Sequence, residues 1–315
     1  MREPAGPPCR HGIARLMKLP MRSLVQYLLC STLNGFAQIF LQRHQGCGLL
    51  IALAIGFNDH RLLYGALIGV ITANAMARCH GYLRADIESG LYGYNAALLG
   101  LMITWLLGFT PSAILLTAAL SALSSSLQHL LLGHMRERQG LAGYTLPFVL
   151  IGWTVLALCT HADSANVRPL TEHSLNQWSA LEGILRGMAQ VILLSDPLAG
   201  LCVFAGLLVS DRRGACWALC GSAVGIYAAL LISAAEADAL EGLASYNPAL
   251  AALALSQVHR SSLAPTLGIV LSIIGGQVFG RFGIPPLTMP FILACWAVTL
   301  TMRHSQRQPH LQPAG

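Results

Sequence analysis

The chain repeats itself. Gly35-Phe-Ala-Gln38 recurs as Gly187-Met-Ala-Gln190, and Gly90-Leu-Tyr-Gly-Tyr94-Asn95-Ala-Ala-Leu98 recurs as Gly242-Leu-Ala-Ser245-Tyr246-Asn247-Pro-Ala-Leu250, both at an offset of 152 residues. A third pair, Thr145-Leu-Pro147-Phe148 and Thr288-Met-Pro290-Phe291, is offset by 143. The order Gln, Tyr-Asn, Thr-x-Pro-Phe therefore occurs twice, which restricts the fold to two similar halves. In a membrane protein, duplicated halves of this kind face each other across a central path lined by the matched residues.

Composition places the chain in a membrane. Hydrophobic residues make up 55% of it, Asp, Glu, Lys and Arg 10%, and mean hydropathy is +0.60, whereas a soluble domain carries roughly 25% charged residues. Twelve apolar stretches run from about residue 22 to residue 302, several of them short of the ~20 residues that a spanning helix needs. The stretches beginning at Gly90 and Gly242 are interrupted by glycines and by Pro248. Paired interruptions in equivalent places point to re-entrant helices at a binding site. The expected fold is an all-α membrane protein of two inverted repeats, each with five transmembrane helices and one re-entrant half-helix, around a central pore. An odd number of spans per half inverts the second repeat. The expected boundaries are a tail over 1–21, a first repeat over 22–160, a polar linker over 161–178, a second repeat over 179–302 and a C-terminal tail over 303–315.

With the N-terminus inside, eleven Lys and Arg lie on the inner side and seven on the outer. Short cytoplasmic loops carry the excess of Lys and Arg, so both termini are expected in the cytoplasm. Residues 1–20 hold Arg2, Arg10, Arg15 and Lys18 among prolines without an apolar core, the pattern of a tail and not of a signal peptide. The net charge of +6 is scattered and not gathered into a stripe, so nucleic acid is not an expected partner. Most cysteines lie in or beside apolar stretches, where thiols behave as small hydrophobes, and Cys216 and Cys220 have no His beside them to complete a zinc set. No metal or cofactor is expected. His129 is the histidine inside a clear apolar stretch, and a structural or interfacial role is expected for it.

The duplicated polar residues carry the chemistry. Gln38 and Gln190 sit within apolar segments, where an unpaired amide costs several kcal/mol. Their twinning favours pore lining over simple helix bridging. Tyr94 with Leu98, and Tyr246 with Leu250, place an aromatic ring and an isobutyl group one turn apart on one face, giving two apolar walls. Asn95 and Asn247 are expected to bond the broken backbone beside them. Thr145 and Thr288 precede Pro147 and Pro290 by two residues. A proline removes a backbone donor, so hydroxyls and freed carbonyl oxygens are both expected there; a plain proline kink is the alternative. Glu182 and Arg186, at i, i+4, neutralise one another. Their first-half counterparts are Cys30 and Asn34, which suits a supporting anchor better than a symmetric pore.

Taken together, Gly-Leu-Tyr-Gly-Tyr-Asn-x-x-Leu, the paired Thr-x-Pro-Phe, the upstream Gln, and Trp178-Ser-Ala-Leu-Glu182 leading to Gln190 and Asp196-Pro197 resemble the urea transporter family, from about Ser23 to Leu300. The resemblance implies a passive, channel-like urea path in the inner (plasma) membrane and a homotrimer with one pore per protomer. It implies pore roles for Gln38, Gln190, Tyr94, Tyr246, Leu98, Leu250, Thr145 and Thr288. Two departures stand out: Arg43-His44-Gln45-Gly46 replaces the family's Asn-Pro after the first Gln, and the second Gly-Leu-x-Gly reads Gly242-Leu-Ala-Ser245.

Urea is flat and neutral, with one carbonyl and four N–H donors. A selective path for it needs apolar walls against its faces and oxygens along its edges. No ionisable residue is repeated in both halves within the apolar stretches, which argues against ion or proton coupling. A channel for another small neutral solute such as ammonia or water is the alternative, although an ammonia path is expected to hold paired intramembrane histidines. An enzyme would need a nucleophile and base, or a ligand cluster, within the spans.

Overall fold

The computed structural model describes residues 21–138, 141–159, 177–232 and 240–306. The expected tail up to residue 20, the linker over 161–176 and the chain beyond 306 lie outside them. Among the described residues there is no strand. The first half contains α1 (Met21–Gln38), α2 (Gln45–Asn58), α3 (His60–Cys79), the single turn α4 (Arg84–Glu88), α5 (Gly93–Leu107), α6 (Pro111–Arg138) and α7 (Leu146–Cys159). The second contains α8 (Gln177–Gln190), α9 (Pro197–Ser210), α10 (Arg212–Leu231), α11 (Tyr246–Val258), α12 (Leu263–Arg281) and α13 (Met289–Gln306).

Among the described residues, four helices are long and apolar enough to cross a membrane: α3, α6 (over Pro111–Glu137), α10 and α12. Four more, α2, α5, α7 and α9, are apolar but only 14 or 15 residues long, roughly 21 Å at the helical rise per residue. Helix length alone therefore does not yield the ten full spans expected. The starts of α2 and α9 are each tied by a capping side chain. Side chains such as Leu115, Leu130 and Leu231 point outward and are 72%, 67% and 85% exposed, as an apolar solvent allows.

The two halves solve the same local problems at the same spacing. At the start of α2, His44 Nδ1 accepts from Cys47 N at 3.2 Å. At the start of α9, 152 residues on, Asp196 Oδ1 accepts from Ala199 N at 2.9 Å, with Pro197 in the first turn. The imidazole thus caps the helix where the sequence departs from the Asn-Pro pattern. A Cβ on Gly48 would lie 1.8 Å from Leu33 O, and one on Gly200 1.9 Å from Leu185 O. A Cβ on Gly69 would meet Ala96 O at 2.1 Å, and one on Gly221 Pro248 O at 2.5 Å. These glycines let α2 reach α1, α9 reach α8, α3 reach α5 and α10 reach α11 at backbone contact. The breaks ahead of α5 and α11 are made by Gly90 at φ +82 and Gly242 at φ +85, a region that L side chains avoid. Ser245, the second departure, is fully buried and folds its hydroxyl back onto Gly242 O at 2.9 Å.

Gly200→Val is expected to abolish accumulation of folded protein, because two rigid backbones would have to separate. Gly276→Ala, at a position where nothing lies within 4 Å, is expected to leave it unchanged or slightly improved. Size-exclusion of detergent-solubilised protein compares the two.

Candidate functional site

Gln38 closes α1 and Gln190 closes α8, and each amide nitrogen reaches the broken segment of its own half. Gln38 Nε2 donates to Ser89 O at 3.1 Å; Gln190 Nε2 donates to Glu241 O at 2.9 Å and to Ser195 Oγ at 2.8 Å. Ser89 and Glu241 immediately precede Gly90 and Gly242. Both glutamines are only partly buried. With the nitrogens engaged on backbone, and for Gln190 also on Ser195 Oγ, the Oε1 atoms are the groups left over.

One residue earlier in the broken segment the halves use different side chains for one task. Asn34 Nδ2 donates to Glu88 O at 2.7 Å, and Arg186 Nη1 donates to Leu240 O at 3.3 Å. Arg186 is 7% exposed and also holds Glu182 Oε2 at 2.8 Å. The Glu182–Arg186 pair is thus part of the scaffold on which the second broken segment rests.

The two Thr-x-Pro-Phe segments begin α7 and α13. Pro147 and Pro290 are the second residues of these helices, where a missing N–H leaves nothing unpaired. They are helix starts and not kinks. The carbonyls expected to be freed by them are occupied: Gly143 O accepts from Leu146 N and Pro286 O from Met289 N, each at 3.0 Å. Thr145 O and Thr288 O accept the first helical bonds, from Val149 N and Ile292 N. Their hydroxyls, free of capping, meet each other at 2.7 Å, with the residues 3% and 4% exposed.

Capping is supplied from other helices. Asn95 Oδ1 on α5 accepts from Phe148 N at 3.3 Å, and Asn247 Oδ1 on α11 accepts from Phe291 N at 3.2 Å. The asparagines therefore serve the starts of α7 and α13, some 50 residues away, and not the breaks beside them. Tyr94 Oη donates to Tyr144 O, and Tyr246 Oη donates to Leu287 O at 2.7 Å. Tyr144 and Leu287 hold φ values of 43 and 42, costly for bulky residues, and the tyrosine hydroxyls pin them there. Leu98 and Leu250 are 0% and 1% exposed in the core beside these rings.

Contacts between the halves are reciprocal. Trp153 Nε1 donates to Pro285 O at 2.8 Å, and Trp296 Nε1 donates to Ala142 O at 2.7 Å. These tryptophans were not singled out above, although their spacing equals that of the two threonines. Gln128 also escaped notice: 3% exposed, its Oε1 accepts from Asn95 Nδ2 at 3.2 Å, and nothing local in the sequence marks it. His129 lies outside the duplicated set, stacked on Tyr82 at 3.7 Å with Nδ1 3.1 Å from Tyr92 Oη. No group of three or more His, Cys, Asp or Glu able to hold a metal is found among the described residues. A cavity of about 730 Å³ opens beside α1, lined by Tyr27, Cys30, Asn34, Arg43, Arg84 and Glu88 among others.

Residues 29–303 match the urea transporter family. The chain belongs to that family. Urea transporter 1 of Ovis aries is 27% identical over 290 residues, covering 83% of this chain and 74% of that protein, and the Capra hircus protein of the same name gives the same values. Urea transporter 1 of Rattus norvegicus is 25% identical over 264 residues, 75% of this chain and 66% of that one. Membership places the chain among transporters and not among enzymes. For a urea transporter the local geometry divides the duplicated polar residues into atoms that hold backbone and atoms left over, chiefly the glutamine oxygens and the threonine hydroxyls.

Asn95→Ala and Asn247→Ala would each leave a buried N–H without an acceptor, at a cost of about 1 to 3 kcal/mol. Each variant is expected to lower the thermal unfolding midpoint in detergent, and by similar amounts. An unchanged midpoint in both would remove the capping role.

Proposed function

We propose that this chain carries urea passively across a membrane, along a path between its halves lined by Gln38, Tyr94, Leu98 and Thr145 from one and Gln190, Tyr246, Leu250 and Thr288 from the other. The observation that carries the reading is the 2.7 Å contact between the two threonine hydroxyls, which puts equivalent residues of both halves at one buried point. A neutral N–H or C=O arriving there exchanges the Thr–Thr bond for two Thr–solute bonds. The count of hydrogen bonds does not fall, so a solute that has shed its water is still satisfied. The glutamine Oε1 atoms extend the row of acceptors on either side, while Leu98, Leu250 and the tyrosine rings supply the flat walls. Asn95, Asn247, Glu182 and Arg186 hold the breaks in place.

The halves are read as inverted repeats, over 22–160 and 179–302, related by a pseudo-twofold axis in the membrane plane. Support comes from the matched glycine contacts, the matched φ values at residues 90 and 242 and at 144 and 287, and the reciprocal tryptophan bonds. An inner-membrane homotrimer with one pore per protomer and both termini cytoplasmic completes the proposal, on the family resemblance and the distribution of Lys and Arg. A path for ammonia or water is not favoured, since the matched relatives are named for urea.

Purified protein in proteoliposomes is expected to equilibrate labelled urea without sodium or proton dependence, and faster than glycerol or methylamine. Accumulation above the bath that an uncoupler abolishes would overturn a passive mechanism. Thr145→Val and Thr288→Val keep shape and remove one hydroxyl. Each is expected to slow urea about 5-fold or more, from an unmet group worth about 1 to 3 kcal/mol. Wild-type flux in both, at normal expression, would remove the threonines from the path.

A further inference from the structure

Arginines from both halves gather at one end of the molecule. Arg84 pairs with Glu88 and Arg136 with Asp86, each at 2.7 Å, which ties the last turn of α6 to α4. The Arg78 and Arg84 guanidinium groups both sit over the Tyr27 ring, at 5.4 and 5.1 Å, and the cavity of about 730 Å³ joins Tyr27 and Arg84 to Arg43. The second half reaches the same place. Ser210 Oγ, at the end of α9, donates to Gln42 Oε1 at 2.8 Å, and Arg213 just beyond it donates to His259 O and Arg260 O at 3.1 and 2.6 Å. Asp211 and Glu137 share this end, so acidic groups are present there but outnumbered.

Within this set Arg43 stands apart. It is exposed and forms no ion pair among the described residues, whereas Glu88, the carboxylate lining the cavity, is already held by Arg84. Arg43 belongs to the departure Arg43-His44-Gln45-Gly46, and 152 residues on its counterpart is Ser195, which is bonded to Gln190. The free guanidinium is thus a feature of one half. Along α2 the surface then turns apolar: Gln45 lines the cavity, and Leu49 and Leu53 follow it at successive turns of one face, 47% and 41% exposed. An arginine beside a strip that faces hydrocarbon is stabilised by an anion at the polar boundary, and phosphate matches the guanidinium fork. A free anion has no use for the apolar strip. A zwitterionic headgroup carries a cation that the gathered arginines repel. We propose that the cavity beside α1 seats the phosphate headgroup of an acidic phospholipid on Arg43, with an acyl chain along Leu49 and Leu53. Acidic lipids concentrate in the cytoplasmic leaflet, so this end faces the cytoplasm. The site takes no part in the urea path.

Native mass spectrometry of the purified protein in nonionic detergent tests the site, with phosphatidylglycerol and phosphatidylcholine supplied at equal concentration. The wild-type protein is expected to retain phosphatidylglycerol in preference. Arg43→Ser, which copies the second half, is expected to reduce that preference about three- to tenfold, the weight of one arginine at an anionic surface, while Arg43→Lys keeps most of it. Arg281→Ser, at an exposed arginine outside the cluster, is expected to leave it unchanged. Leu49→Gln with Leu53→Gln is expected to weaken lipid retention, and excess inorganic phosphate is expected to leave the lipid bound. Equal preference in wild type and Arg43→Ser, or displacement of the lipid by phosphate alone, overturns the lipid site. So does a change of oligomeric mass in the leucine variant with lipid retention intact, because the strip would then seat a second copy of the chain.

Discussion

A helix interrupted within an apolar interior exposes backbone donors and acceptors that water cannot reach, and each one left unpaired costs several kcal/mol. That constraint governs this protein. The breaks before Gly90 and Gly242 and the head-to-head starts of α7 and α13 are where the backbone runs out of partners. The duplicated polar residues go there: Gln38 and Gln190 to Ser89 O and Glu241 O, Tyr94 and Tyr246 to Tyr144 O and Leu287 O, Asn95 and Asn247 to Phe148 N and Phe291 N. Stability and solute chemistry thereby become inseparable. An amide that clamps backbone with its nitrogen presents its oxygen elsewhere, and a threonine whose cap is supplied from another helix has a hydroxyl to spare.

The leftover groups are all neutral. Near the breaks, ionisable side chains are paired in Glu182–Arg186, Arg84–Glu88 and Arg136–Asp86. A flat, uncharged solute with several N–H groups suits such a surface, because it can bond the leftover glutamine oxygens and exchange the Thr–Thr bond for bonds of its own.

Duplication preserved geometry more strictly than chemistry. Helix α2 is capped by an imidazole and α9 by a carboxylate; Asn34 stands where Arg186 does; Gly93 packs against Gly35 where Ser245 meets Gly187. In each case the backbone is held alike while the side chain that holds it differs.

The sequence by itself determined that this is an all-helical membrane protein of the urea transporter family, that Gln38, Tyr94 and Thr145 are each twinned, and that Glu182 and Arg186 neutralise each other. Composition carries the membrane class, fixed offsets carry the twinning, and the family rests on the resemblance of the duplicated motifs. Helix α5 begins at Gly93, three residues after the break predicted at Gly90. What only the tertiary structure decided is which atom meets which. Pro147 and Pro290 looked like kinks because a proline in an apolar run has the same local signature at a helix start. Asn95 and Asn247 cap helices some 50 residues away, a distance over which sequence has no register. Tyr144 and Leu287 adopt left-handed conformations that no propensity favours, held by tyrosines on other helices. Such choices belong to the assembled fold, because their favourable contacts exist only after the helices have packed.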